Sequence, residues 1–126
     1  MLEVGLCGQE ELVVEKKDTA SVYGSGTLDV FATPAMVALM EKTCQNSVAP
    51  ELEEGNGTVG TQICVKHLSA TPMGMKVTCK SVLKEIDRRR LVFDVTAYDE
   101  RGKIGEGTHE RFIINEAQFQ AKTDAK

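Results

Sequence analysis

The stretch Thr33-Pro34-Ala35-Met36-Val37-Ala38-Leu39-Met40-Glu41-Lys42-Thr43-Cys44-Gln45-Asn46-Ser47-Val48 decides how the chain can fold. Thr is a good residue to cap a helix, and Pro is favoured in the first turn, where its missing N–H would have no partner anyway. From Pro34 onward, Met36, Val37, Met40, Cys44 and Val48 recur at helical spacing and form one apolar stripe. Pro50 and the acidic, Gly-containing run from Glu51 to Gly57 end the helix. One amphipathic helix in a short chain must bury its stripe against something else, and the flanking sequence supplies a sheet.

Downstream, the period changes from helical to alternating. From Thr58 to His67, Val59, Thr61, Ile63, Val65 and His67 share one face, with Gly60, Gln62, Cys64 and Lys66 on the other. After a turn at Ala70-Thr71-Pro72-Met73-Gly74, a strand over Met75–Ile86 sets Met75, Val77, Cys79 and Leu83 against Lys76, Thr78, Lys80 and Lys84. Ser81 and Val82 interrupt that pattern. Asp87–Arg89 turns into a strand over Arg90–Tyr98, and Asp99–Gly102 into one over Lys103–Asn115. Upstream, Glu10–Lys17 reads as a first strand and Asp18–Asp29 as a loop, and the tail with Ala117, Phe119 and Ala121 reads as a helical turn. Short turns imply antiparallel neighbours, because parallel pairs need crossovers of a dozen residues or more. The expectation is an α+β domain, residues 1–126, in which the helix lies against an antiparallel sheet.

Bulk properties narrow the function. At 126 residues the chain has the length of one domain, and a deep cavity in so small a body calls for a partner surface. The net charge of −4 argues against general nucleic-acid binding, which needs a basic patch or stripe. No apolar run approaches the roughly 18 residues of a membrane span. The first charged residues, Glu3, Glu10 and Glu11, do not make a secretory leader, which points to the cytosol. Cys7, Cys44, Cys64 and Cys79 contain no C-x-x-C, and His67 and His109 do not complete a zinc spacing. Buried free thiols and no metal or other cofactor are expected.

Three polar residues stand where chemistry could occur: Thr33 at the helix mouth, Glu41 about two turns on, and His67 at the end of an apolar strand face. A desolvated carboxylate can serve as base or nucleophile, an imidazole moves protons near neutrality, and a hydroxyl orients either. Each also has an ordinary role: a cap for Thr33, a solvated flank for Glu41, a strand-end residue for His67. His109 competes on equal terms, in a segment that aligns Gly105, Gly107, His109 and Arg111 on one face. Arg88-Arg89-Arg90 reads equally as a phosphate holder or as a charged hairpin tip.

Val30-Phe31-Ala32-Thr33-Pro34-Ala35-Met36-Val37-Ala38-Leu39-Met40-Glu41, then Gly60-Thr61-Gln62-Ile63-Cys64-Val65-Lys66-His67, Ala70-Thr71-Pro72 and Ile104-Gly105-Glu106-Gly107-Thr108-His109-Glu110-Arg111 together resemble the fluoroacetyl-CoA thioesterase family of the hotdog superfamily. The resemblance implies a hotdog fold, with the sheet wrapped around the long helix, and a homodimer, with pairing into tetramers left open. It implies hydrolysis of a short acyl-CoA by Thr33, Glu41 and His67, with Gly60 beside the substrate and His109 structural. It does not extend to the aromatic lid of the fluoroacetate-specific enzyme, since Gly24-Ser25-Gly26-Thr27 occupies that region. A non-catalytic acyl-CoA-binding module and an enoyl-CoA hydratase are the alternative readings of the same fold.

Overall fold

The computed structural model describes residues 1–126. Five strands form one antiparallel sheet: β1 (Cys7–Val13), β2 (Asn56–His67), β3 (Lys76–Asp87), β4 (Arg90–Asp99) and β5 (Gly102–Asn115), in the order β1-β3-β4-β5-β2. A short helix α1 (Ala20–Tyr23), the long helix α2 (Thr33–Val48) and a terminal helix α3 (Glu116–Asp124) complete the chain. Helix α2 lies across the sheet on β1, β3 and β4, with the hotdog arrangement of a sheet curled about one long helix.

The long helix sits rotated from the expected stripe. Ala35, Met36, Leu39, Met40, Thr43, Cys44 and Val48 are buried, while Val37 is only half-buried. Thr43 is tolerated in the core because its hydroxyl donates to the Leu39 carbonyl at 2.7 Å. Each fully buried Met or Val contributes about 1.5–3 kcal/mol, so the rotation is set by the summed fit of seven side chains rather than by the five larger ones. It turns Glu41 towards Gly60 of β2. Two glycines seat the helix: a Cβ on Gly8 would lie 2.6 Å from the Ser47 Cβ, and one on Gly105 would lie 2.5 Å from the Met36 sulfur.

Several boundaries differ from the sequence expectation. The first strand begins earlier, at Cys7, and ends at Val13, because its partner is β3, with Cys7 opposite Val82 and Val13 opposite Lys76. The stretch after it is a tight helical turn over Lys16–Asp18. The loop at 18–29 folds back on itself: α1 ends on left-handed Gly24, and Thr19 bridges Phe31. In β3 the alternation runs straight through Ser81, buried, and Val82, 42% exposed; the irregularity is a bulge at Leu83–Glu85. The tail is a helix of nine residues, capped by the Asn115 side chain, which accepts from the Gln118 N–H. Cys44 and Cys79 are buried, with burial pushing the Cys44 thiol up to about 12, whereas Cys7 and Cys64 are exposed. Cys64 faces outward because it alternates with inward-facing Ile63 and Val65.

A bulge in β2 has the largest consequence for the site. The register with β5 slips between Gly60 and Gln62, so Thr61 has no partner and Gly60 sits opposite Arg111 while Ile63 sits opposite His109. The face read from simple alternation is therefore corrected: Ile63, Val65 and His67 face the helix side as expected, but beyond the bulge it is Gly60, not Thr61 or Val59, that joins them.

Candidate active site

The structure gathers the candidate residues into two groups at opposite ends of β2. At one end, the Thr33 hydroxyl and His67 Nδ1 are 2.7 Å apart. Thr33 lies within the first helical turn, one residue past the cap position held by Ala32, and no side-chain capping bond is made there. The capping role expected for Thr33 is thus replaced by a bond to histidine. His67 meets the buried Phe31 edge-on, with centroids 6.4 Å apart, and its Nε2 is buried without a hydrogen-bond partner. Burial holds the imidazole below the usual histidine range, opposed in part by the Ser69 backbone, so it is neutral at pH 7. Around the pair lies a pocket of about 290 Å³, lined by Ala20, Ser25, Val30, Phe31, Leu68 and Ala70 among others.

At the other end, Glu41 faces Gly60 and a buried Arg–His pair. A Cβ on Gly60 would stand 2.9 Å from the Glu41 carboxylate, 3.2 Å from His109 and 3.3 Å from Arg111. Arg111, 5% exposed, donates from Nε to the Thr58 hydroxyl at 2.7 Å and from Nη2 to the Thr58 carbonyl at 2.9 Å. Its Nη1 donates to His109 Nε2 at 3.1 Å and lies 4.0 Å from the Glu41 carboxylate. Because Nε2 of His109 accepts, its Nδ1–H must donate to the Gln62 carbonyl at 2.8 Å, which fixes a neutral tautomer. Burial, opposed by a smaller lift from the Gln62 carbonyl, keeps His109 below the ordinary histidine range, in agreement with that tautomer. The Arg111–His109–Thr58 set went unassigned in the sequence. The signal was present in the alignment of Gly105, Gly107, His109 and Arg111 on one face, where two charged or polar side chains could be buried only as a mutually bonded set.

Thr33 and Glu41 are eight residues apart on one helix, an axial separation of about 12 Å. Within one chain the hydroxyl–imidazole pair and the carboxylate therefore do not converge, contrary to the simplest expectation. Gly60→Ala is expected to reduce turnover at least tenfold with little loss of Tm. Its methyl would occupy the space between Glu41, His109 and Arg111; steady-state rates and a thermal melt on the same preparation check both halves.

One antiparallel sheet curled about a long helix is the fold of the hotdog thioesterases, a class of thioester hydrolases. Residues 14–117 match the family model described as fluoroacetyl-CoA-specific thioesterase. The fluoroacetyl-CoA thioesterase of Streptantibioticus cattleyicolor is 48% identical over 98 residues, 78% of this chain and 70% of that protein. A variant of a fluoroacetyl-CoA thioesterase solved in complex with acetyl-CoA superposes with a TM-score of 0.94 at 39% identity, covering 98% of each chain. A Thermus thermophilus protein of the thioesterase superfamily gives 0.90 at 30% identity, covering 98% of this chain and 91% of that one. The chain belongs to the fluoroacetyl-CoA-specific thioesterase family. No helix is long and apolar enough to cross a membrane.

Proposed function

We propose that the protein hydrolyses a short acyl-CoA to free acid and CoA at a site completed by two subunits. The observation that carries this reading is the 2.7 Å Thr33–His67 bond at the mouth of a pocket, at the far end of β2 from the Glu41–Gly60 group. Strand β2 is an edge of the sheet, and an edge presents unpaired N–H and C=O groups to a second copy. Antiparallel pairing of two β2 edges about a two-fold axis near Ile63 and Cys64 sets Gly60 of one subunit opposite His67 of its partner. Glu41 and Gly60 of one chain then meet Thr33 and His67 of the other, and the site is complete only in the homodimer.

In that site the Gly60 N–H faces the thioester oxygen, a donor of the kind whose removal costs roughly 3–4 kcal/mol in the transition state. The Glu41 carboxylate either attacks the thioester carbon, giving an anhydride that water then opens, or takes a proton from the attacking water. In both routes the C–S bond breaks: the proton of the attacking water, taken by Glu41 or by Nε2 of His67, passes through that Nε2 to the departing CoA thiolate, while the His67 Nδ1–H donates to the Thr33 hydroxyl. Heavy-oxygen water in a single turnover separates the routes: label in the enzyme carboxylate marks attack by Glu41. The pocket is lined by Ala20, Ser25, Val30, Phe31, Leu68 and Ala70, and the stretch Gly24-Ser25-Gly26-Thr27 carries no aromatic side chain, which supports a short acyl group other than fluoroacetyl as substrate. Four free thiols, two of them exposed, support action in the reducing cytosol.

Free CoA, followed by chromatography over a panel of acyl esters, tests the reading. Release is expected for short acyl groups. The acidic limb of kcat/KM should fall below pH ~6.5, because His67 stays neutral to lower pH than a free imidazole. Binding without release of CoA makes the protein a carrier or sensor, and loss of an enoyl double bond without thiol release makes it a hydratase.

A further inference from the structure

We propose that His109 is a positioning residue of the hydrolysis, whose proton-free Nε2 aims Arg111 at the Glu41 carboxylate and whose protonation lets Arg111 go; this rests on the thioesterase reading above. His109 is 2% exposed, so it can act only through the groups it touches. Three strands hold its ring. The Gln62 carbonyl of β2 accepts from Nδ1–H at 2.8 Å, Phe93 of β4 lies alongside with centroids 6.3 Å apart, and Arg111 of β5 donates to Nε2 at 3.1 Å. The β2 bulge makes room for this: it turns Gly60 to the set, where a Cβ would come within 3.2 Å of the His109 ring.

The planar guanidinium explains why this third contact matters. Thr58 takes two bonds from one edge of it, from Nε at 2.7 Å and from Nη2 at 2.9 Å. Two bonds along one edge leave the plane free to tilt about that edge, and the bond from Nη1 to His109 stops the tilt. Each nitrogen of Arg111 thus has one neutral acceptor. Nη1 keeps a second N–H, and it is this nitrogen that lies 4.0 Å from the Glu41 carboxylate. The fold alone gains little from burying such a pair, since apolar side chains of similar volume are often as stable. A charge held in one direction beside a reacting carboxylate is something apolar side chains do not supply.

A proton on Nε2 makes both ring nitrogens donors, and the acceptor for Arg111 is gone. Two cations then stand side by side out of water. Of the acids that face the ring, Glu110 of β5 is bound to Arg90 and Thr61, which leaves Glu41 of α2 to answer the new charge. The carboxylate is drawn to the imidazolium and away from the thioester. Burial above all, reinforced by Arg111, keeps that proton off at neutral pH against lifts from Gln62, Glu41 and Glu110, so the release falls on the acid side of pH ~6.5. The unfolded chain takes the same proton more readily, so stability also declines below that pH, and rates are to be read only where the protein stays folded.

The test sets His109→Gln, whose amide oxygen can accept from Arg111 but takes no proton, against His109→Phe, whose ring can lie on Phe93 but accepts nothing. With one short acyl-CoA at pH ~8, kcat is expected to fall about tenfold to a hundredfold in the Phe variant, the cost of a misplaced reacting group, with little change in KM. Gln should recover most of that loss. On the acid side, wherever circular dichroism shows both proteins folded, the limb of log kcat/KM for the Gln variant should be shallower than the wild type's by one proton. The chain has two histidines, so labelling them with heavy nitrogen gives two imidazole patterns, which the Gln variant assigns. That of His109 should show Nδ1–H with a bare Nε2, and the Arg111 guanidinium resonance should move as this ring titrates. A Phe variant with the wild-type kcat, a Gln limb as steep as the wild type's, or a guanidinium signal that ignores the titration overturns the proposal. If the wild type cleaves no ester, the thioesterase reading falls by itself, and the spectra alone decide whether His109 holds Arg111.

Discussion

A one-to-one mixture of subunits bearing Glu41→Gln and subunits bearing His67→Ala is expected to regain about a quarter of wild-type activity, although each variant alone is nearly inactive. Removing the carboxylate should cost about a thousandfold in kcat, and removing the imidazole about a hundredfold or more, the usual range for a positioned acid or base. The regain follows from where the structure puts the two groups. Thr33 and His67 lie at one end of β2 and Glu41 with Gly60 at the other, so a site shared across the dimer takes its carboxylate from one chain and its imidazole from the other. In a mixed dimer one of the two sites then carries both groups intact. Random exchange makes about half the dimers mixed, and half of their sites work, which gives the quarter. Co-expression of the two variants, with activity normalised to dimer measured by light scattering, makes the observation. A mixture no more active than its parts would mean that each chain assembles its site alone, and the two-subunit arrangement would be abandoned.

The same pair of groups shows what could be read before any coordinates. The helix from Thr33 to Val48 and the four later strands were legible because their periods, 3.6 and 2, reflect backbone geometry that side chains merely report. The β2 bulge was not legible: one unpaired residue at Thr61 reverses the facing of everything before it, and nothing in the composition of Gly60-Thr61-Gln62 marks it. That slip carries Gly60 to the inward face beside Glu41. Thr33, Glu41 and His67 are marked by residue type, margin position and family resemblance, but a helical wheel shows angle and not the roughly 12 Å that eight residues put between Thr33 and Glu41. Arg111 escaped because a buried guanidinium is recognisable only by its partners, and these lie on another strand at Thr58 and two residues away at His109.

Arg111 is the residue at which stability and activity should fall together. Arg111→Met removes both donors to Thr58, the donor to His109 Nε2 and the positive charge 4.0 Å from Glu41, while leaving the acceptors in place. Acceptors left unpaired in a buried site outweigh what an apolar side chain of similar size recovers, so a loss of about 2–4 kcal/mol is expected. For a domain of this length that is a fall in Tm of about 10 °C, measured for both proteins at one fixed concentration. Arg111→Lys is the informative companion. An ammonium keeps the charge facing Glu41 but cannot reproduce the planar fork that spans Thr58 and His109. It should therefore recover more activity than stability. If Lys restored the melt and not the rate, the fork would be serving the substrate rather than the fold, and the carboxylate would need no fixed cation beside it. If Met left the melt unchanged, the Thr58–Arg111–His109 set would hold nothing together, and the burial of a charge there would have to be explained by catalysis alone.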